Sequence, residues 1–405
     1  MPPEQLMKSI RVRSFLLFLI IVSVNVPSRA QKSAEAFSFI ISSDQREHAT
    51  ERLRSHEYTL GGYEAIRSVG KGSFMIVLGD LDPPSATSSL IAEVLGKDYL
   101  WYPVIGNHDL EVEANTEYIR AMNRGAAPLP QVVRKGPAGC EETTYSFDWN
   151  NFHFVILNVY YDGRSDKGSD GDIVPELLAW LENDLKQTTK KHVFVFGHEP
   201  LYPFLDMDNG TVRHLADALD KYPEHAIRFH RLMVKYHVNA YFSGHTHCAA
   251  YANINGLWLI NSGHIYGQED HYAPVTLLPH LSATAKDGLA KGMPLENSIA
   301  NFYKADDKEM KKFIFSLGLE KVKTYKDLTD EQVLRRLTEF YVACQKGDSV
   351  IVRYTNLFWQ NTEWRKSTFL RVTVDDKAGF VEFYRDKDYT GNYVLRDRIE
   401  LYREP

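Results

Sequence analysis

Five short polar clusters share one setting: each directly follows an apolar run, and each carries side chains with lone pairs to offer. They are Asp44 in "FSFIISSDQREH", Gly79-Asp80 in "MIVLGDLDPP", Gly106-Asn107-His108-Asp109 in "YPVIGNHDLE", Gly197-His198 in "VFVFGHEP", and Gly244-His245-Thr246-His247 in "NAYFSGHTH". Asp, Asn and His supply oxygen and nitrogen ligands suited to borderline divalent metals rather than to calcium. Two such ions ~3.5–4 Å apart are the usual arrangement for displacement at phosphorus, with one carboxylate bridging them and neutral ligands around it. Gly-His alone is a weak signal; Gly-Asn-His-Asp together with His-x-His and Gly-Asp, all at the ends of apolar runs, is a strong one. Asp44 by itself fits either a metal ligand or the first residue of a wet loop.

The elements that must position these residues read as α/β. The pattern predicts strands at Phe37–Ile41, Phe74–Leu78, Trp101–Ile105, Phe152–Asn158, Val193–Phe196, Ala240–Phe242 and Leu257–Ile260, with helical patterns between several of them, clearest at Val174–Leu185 and His225–Tyr236. In α/β sheets ligands collect beyond the carboxyl ends of strands, where all five clusters lie. The glycines let the backbone turn sharply there. "YSFDWNNFHFVILN" reads as a hairpin turning at Asn150-Asn151, and "TFLRVTVDDKAGFVEFYR" as another turning at Asp375–Gly379. Residues 271–350 read as helical, with a capping box at Thr329–Gln332, before the strand pattern returns after residue 350.

The order Asp, Gly-Asp, Gly-Asn-His-Asp, Gly-His, Gly-His-x-His resembles the calcineurin-like metallophosphoesterase superfamily over residues 36 to about 265. That resemblance implies a four-layer αββα sandwich, two packed mixed β-sheets flanked by helices. The expected organisation is a core over 31–270, a helical insertion or cap over 271–350, and strands over 351–405 completing the sandwich. It also implies roles: Asp80 bridges two metals, Asn107, His198 and His245 complete one site, and Asp44 and His247 serve the other. His108 would sit over the scissile bond as general acid, with Asp109 orienting it. The family's first motif is usually Asp-x-His, but here the His position is Arg46, and a guanidinium has no lone pair for a metal. Gln45 or Asp82 would be the substitutes. The expectation is therefore one tight divalent ion (Mn, Zn, Fe or similar) and one weaker, with Arg46 clamping a phosphoryl oxygen of the substrate. The purple acid phosphatase branch places a Tyr three residues after the bridging Asp; Pro83 stands there, which argues against purple iron chemistry.

The rest of the chain bounds this reading. A net charge of −6, without any Lys/Arg block, argues against a nucleic-acid partner. Lys8, Arg11 and Arg13 precede an apolar stretch from Phe15 to Val26, and Ser28-Arg29-Ala30 supplies the small residues of a cleavage site. Residues 1–30 thus read as a signal peptide, giving a secreted or periplasmic protein without a stable membrane span; an uncleaved anchor is the alternative. Cys140, Cys248 and Cys344 are an odd count, so at least one thiol is left over. His264 fits strand-end packing better than a site role, and Cys248 fits an inert buried thiol. The "DGRSDKGSDGDI" loop departs from a calcium-binding pattern and fits a solvated loop ending in a helix cap at Asp172. Tyr160-Tyr161 before it are candidates for the edge of a substrate pocket.

The function expected is an exported metal-dependent phosphoric-ester hydrolase, a phosphatase or phosphodiesterase acting on a small phosphorylated substrate. In it a metal-bound hydroxide attacks phosphorus in line and His108 protonates the departing alkoxide. The alternative is a non-enzymatic or weakly active phosphate- or ligand-binding protein, suggested by the altered first motif. Retention of His108 and Asp109 favours the enzyme, since binding alone needs no general acid.

Overall fold

The computed structural model describes residues 36–46, 55–125, 129–202, 214, 217–265, 360–363, 367–386 and 392–404. The expected signal peptide at 1–30, helical insertion at 271–350 and capping box at Thr329–Gln332 lie outside these residues. In chain order the strands are β1 (Phe37–Ser42), β2 (Phe74–Val77), β3 (Leu100–Pro103), β4 (Val132–Lys135), β5 (Tyr145–Trp149), β6 (Phe152–Ile156) and β7 (His192–Phe196). They continue with β8 (Ala240–Ser243), β9 (Ala249–Ile254), β10 (Leu257–Ser262), β11 (Gln360–Glu363), β12 (Thr368–Val374), β13 (Ala378–Asp386) and β14 (Tyr393–Arg403). The helices are α1 (Ser55–Val69), α2 (Pro84–Val94), α3 (Glu113–Met122), α4 (Pro175–Gln187) and α5 (Pro223–Lys235).

Two mixed sheets result. One runs β14-β13-β12-β1-β2-β3, the other β11-β9-β10-β8-β7-β6-β5-β4. β1, β2 and β3 are mutually parallel, as are β6, β7, β8 and β10, while β12 lies antiparallel on the free side of β1. The reason for two layers is visible in the alternation along each strand, since successive side chains point to opposite faces. Phe39, Phe74 and Tyr102 of the first sheet meet Phe147, Phe154 and Phe194 of the second. The Phe39 and Phe154 rings are 5.3 Å apart edge to face, and Tyr102 stacks on Phe147 at 4.0 Å. The alternate residues Ile40, Met75 and Val77, with Val155, Val193 and Val195, are buried with Tyr63 and Ile66 of α1, Leu90 of α2, Leu177 and Leu181 of α4, and Phe229 of α5. Aromatic residues thus fill the gap between the sheets, and slimmer β-branched and aliphatic ones take the helices.

The differences from the sequence reading have local causes. β6 stops at Ile156 rather than Asn158: the Asn158 backbone N–H leaves the ladder and donates to Thr144 Oγ1 at 3.0 Å, while its side-chain Nδ2 donates to Thr143 Oγ1 at 3.1 Å and Asp166 O at 3.0 Å. α4 and α5 each open on a proline, whose fixed φ suits the first helical position. Asp172 does not cap α4: the cap residue is Val174, and the Asp172 carboxylate takes His225 Nδ1 at 2.8 Å instead. The sequence pattern singles out no helix at α1, α2 or α3 and no strand at β4 or β9. Two glycines weaken the helical signal of "SHEYTLGGYEAIRSV", and "AAYANI" is rich in alanine, a poor strand former.

A buried charge network holds the β4–β5–β6 end of the second sheet. His153, on β6 and 1% exposed, sits between Asp148 Oδ1 and Asp184 Oδ2, each 2.7 Å from a ring nitrogen. Asp184 also accepts from Ser146 Oγ at 2.8 Å and pairs with Arg134. Burial alone would lower the His153 pKa, but hydrogen bonds and charge from Asp148 and Asp184 outweigh it and raise the pKa above 6.5. A raised folded pKa gives a stabilisation complete below the unfolded value of about 6.5 and lost as pH rises through the folded one. His153→Gln should therefore cost about 3 kcal/mol in denaturant unfolding at mildly acid pH, and the gap to wild type should narrow at alkaline pH. An unchanged gap would show that the ring is neutral throughout.

Candidate active site

The loops after β1, β2, β3, β7 and β8 are laced together by their backbones. Asp44 N donates to Gly79 O at 3.0 Å and Gln45 N to Asp80 O at 2.8 Å, joining the first two loops. The Asp109 carboxylate, 0% exposed, accepts from Asp80 N at 3.0 Å, Leu81 N at 2.9 Å and Gly106 N at 2.8 Å, joining the second and third. Across the gap between sheets, Asp44 Oδ2 accepts from His245 N at 3.0 Å, and His198 Nδ1 donates to Leu78 O at 2.6 Å. So close an approach leaves no room for a side chain. A Cβ on Gly106 would stand 2.3 Å from both Asp80 N and Asp80 Oδ1, and one on Gly244 would stand 1.9 Å from Ser43 Oγ. Asp44, Asp80, His245 and His247 all adopt positive φ, between 52° and 69°. Non-glycine residues rarely enter that region, and those that do concentrate at functional sites.

At the centre three acceptor atoms converge. Asn107 Oδ1 is 3.2 Å from His198 Nε2 and 3.2 Å from His245 Nδ1, and the two ring nitrogens are 3.2 Å from each other. Each ring's outer nitrogen faces a carbonyl oxygen, Leu78 O for His198 and Asp217 O, at 2.7 Å, for His245. Carbonyls only accept, so the outer nitrogens carry hydrogens, and in the neutral rings the inner nitrogens present bare lone pairs. Burial, with His214 and His198 nearby, pushes the His245 pKa well below its ordinary value. Asp80 Oδ1 lies 3.5 Å from His198 Nε2. Asp44 Oδ1, buried, lies 3.0 Å from His247 Nε2. Burial would raise the Asp44 pKa, yet His247 and His198 hold it well below the carboxylate range. Lone pairs gathered at this distance beside two buried carboxylates are a set that one cation or a pair of cations satisfies together. The donor set therefore fits divalent metal ions, of the borderline class that takes imidazole nitrogen with carboxylate and amide oxygen. The outer hydrogen bonds to Leu78 O and Asp217 O are those by which ligating imidazoles are commonly held.

Asp44, Asp80, Asn107, His198, His245 and His247 are thus brought together, and His108 joins them at the rim, its Nε2 3.8 Å from Asp80 Oδ2. Asp109 does not orient His108: its oxygens serve the three backbone N–H groups above, and the His108 ring instead meets Glu111. Gln45 and Asp82 do not replace the missing ligand. Gln45 accepts from Tyr63 and donates to Ser42, while Asp82 holds Asn115 Nδ2 at 2.8 Å and Arg46 Nη2 at 3.3 Å. Tyr160 and Tyr161 are buried rather than at a pocket edge, with the Tyr160 ring 6.3 Å from that of His198. His264 packs at the end of β10, 5.5 Å from the His247 ring. Cys248 is buried, and burial pushes the Cys140 thiol up to about 12. His214 was not anticipated: its ring is 4.0 Å from that of His245, and its Nδ1 is 3.0 Å from Asp217 Oδ2. No motif marks it, because it stands sixteen residues beyond His198 in a segment without periodicity.

Residues 49–249 match the family model for calcineurin-like phosphoesterase. Tartrate-resistant acid phosphatase type 5 of Oryctolagus cuniculus is 27% identical over 173 residues, 40% of this chain and 48% of that protein. This chain therefore spans about half the length of the curated relative it matches. Among solved structures, PhoD superposes with a TM-score of 0.50 at 11% identity, covering 90% of this chain and 69% of that one, a likeness of fold alone. The purple acid phosphatase PPD1 from yellow lupin (Lupinus luteus) seeds gives a TM-score of 0.45 at 12% identity, covering 90% of this chain and 53% of that one.

The contact at Gly106 can be checked directly. Gly106→Ala should lower stability by about 1–3 kcal/mol, the usual range for overpacking, because backbone rather than a flexible side chain must yield. Thermal unfolding indistinguishable from wild type would mean that the loops after β2 and β3 do not approach this closely.

Proposed function

We propose that this chain, which belongs to the calcineurin-like phosphoesterase family, hydrolyses a phosphoric ester of a small molecule at a pair of divalent metal ions. The observation that carries the reading is the convergence of Asn107 Oδ1, His198 Nε2 and His245 Nδ1 at 3.2 Å beside the Asp44 and Asp80 carboxylates. Asn107, His198 and His245 would hold one ion, Asp44 and His247 the other, and Asp80 both. When bound, such ions neutralise charge on phosphoryl oxygens and supply a nucleophilic water at neutral pH.

The chain's own groups do the rest. As the bond from phosphorus to the ester oxygen breaks, its electron pair goes to that oxygen, and His108 Nε2 delivers the proton that lets it leave as an alcohol. His108→Ala should lower kcat by roughly 10²–10⁴ while leaving the metal content intact. The loss should shrink for nitrophenyl esters, whose leaving groups need no proton. Assays of alkyl and nitrophenyl esters in added Mn²⁺ or Zn²⁺ test this, together with metal analysis of the variant. Metal loss from His108→Ala would remove it from the role. A metal-loaded protein that turns over none of the esters would instead be a phosphate-binding relative, a reading that Arg46 in the first motif favours.

Arg46 also bears on the metals. With Gln45 and Asp82 engaged elsewhere, the first ion keeps only Asp44, Asp80 and His247, one imidazole against two at the second. Each imidazole adds strongly to affinity for borderline metals, and the guanidinium's fixed charge disfavours a nearby cation while favouring a phosphoryl oxygen. One tight and one easily lost ion are expected, and Arg46→His should raise the stoichiometry retained through dialysis against a mild chelator. Two ions retained by the unmodified protein would overturn this.

A further inference from the structure

We infer that Glu111 is the residue that positions His108 for proton transfer; the inference rests on the phosphoesterase reading above. His108 opens a single 3₁₀ turn, His108–Leu110, closed by Glu111 N donating to His108 O at 3.3 Å. With three residues per turn, side chains three apart eclipse, so Glu111 lies directly along the turn from His108. The contact is short: His108 Nδ1 to Glu111 Oε1 is 2.6 Å. The other carboxylate oxygen, Oε2, is 3.9 Å from Arg46 Nη2, which also meets Asp82 Oδ2 at 3.3 Å. Asp82 is anchored to α3 through Asn115 Nδ2 at 2.8 Å. The Glu111 side chain is 56% exposed, but its two oxygens are each engaged, one on the imidazole and one facing the guanidinium. Arg46, placed where the family motif has a metal-ligating His, thus has a carboxylate of the His108 turn among its neighbours.

The chemistry gives this contact a purpose. A carboxylate on Nδ1–H fixes the ring orientation and leaves Nε2, 3.8 Å from Asp80 Oδ2, facing the centre. The protonated ring then gives up the proton on Nε2 to the leaving oxygen, and the neutral ring that remains is the Nδ1–H tautomer, the one Glu111 holds. Asp109, adjacent in sequence, has no oxygen to spare for this.

The test uses the full-length, metal-loaded protein with a matched alkyl ester and nitrophenyl ester. Glu111→Ala should lower kcat for the alkyl ester about 10–100-fold, less than loss of the acid itself. Its KM should stay within about twofold and its nitrophenyl turnover near wild type, because misalignment matters only where a proton is needed. Glu111→Gln, which keeps an oxygen for Nδ1–H, should recover most of the loss. Equal effects on both esters, or none, would reduce Glu111 to a structural residue and overturn the inference. A second readout does not depend on turnover: ¹⁵N NMR of imidazole-labelled protein with Zn²⁺, at about pH 8.5, above the ordinary histidine range. The His108 signal, identified by its loss in His108→Gln, should show the Nδ1–H tautomer and shift towards Nε2–H in Glu111→Ala. If wild type hydrolyses neither ester, the phosphoesterase reading fails, and the tautomer still decides for or against Glu111. An Nε2–H tautomer in wild type overturns the inference whatever the turnover.

Discussion

Loops from two different sheets can share one site only if their backbones come within contact distance, and this molecule depends on that approach. Gly79, Gly106 and Gly244 stand where any Cβ would collide with the neighbouring loop. Once the loops are that close, buried side-chain acceptors must satisfy the backbone donors left over at the strand ends, since an orphaned buried N–H is costly. Asp109 takes three of them, and Asp44 takes the N–H of His245 from the other sheet. The centre is therefore assembled by backbone-to-carboxylate bonds before any ligand is considered.

The assembly carries an electrostatic cost. Asp44, Asp80 and Asp109 are all at most 1% exposed, and burial together with the Asp80 charge pushes the Asp109 carboxyl up to about 7. Four left-handed non-glycine residues add strain at the same place. The aromatic interlayer beneath, with Phe39, Phe74, Phe147, Phe154 and Phe194 fully buried, supplies the rigidity that lets such a site persist. The arrangement sacrifices local stability to gather acceptors, which is what a cation-binding centre requires.

Arg46 shows how one replaced residue redistributes its surroundings. A guanidinium seeks carboxylates where an imidazole would seek a metal, and it finds Asp82 and Glu111. Asp82 is thereby withdrawn as a substitute ligand, while the far oxygen of Glu111, 3.9 Å away, faces the same guanidinium.

The metal-ligand candidates were legible in the sequence because residue type and position after an apolar run are local properties. Asp44, Asp80, Asn107, His198, His245 and His247 each follow a strand that reads as a short continuous apolar run, as parallel strands buried on both faces do. The two-layer fold was legible through the resemblance those motifs carry, and the hairpins at Asn150 and Asp375 through turn chemistry. Partner choice was not legible. Adjacency suggested Asp109 for His108, but a 3₁₀ turn eclipses residues three apart and hands the ring to Glu111, while Asp109 turns inward to N–H groups up to 29 residues away. Asp172 likewise went to His225, 53 residues on, rather than to the helix it precedes. Residue types and their order were determined by the sequence itself; which donor meets which acceptor was decided by the tertiary structure, because hydrogen bonds depend on angles and distances between loops that spacing along the chain does not encode.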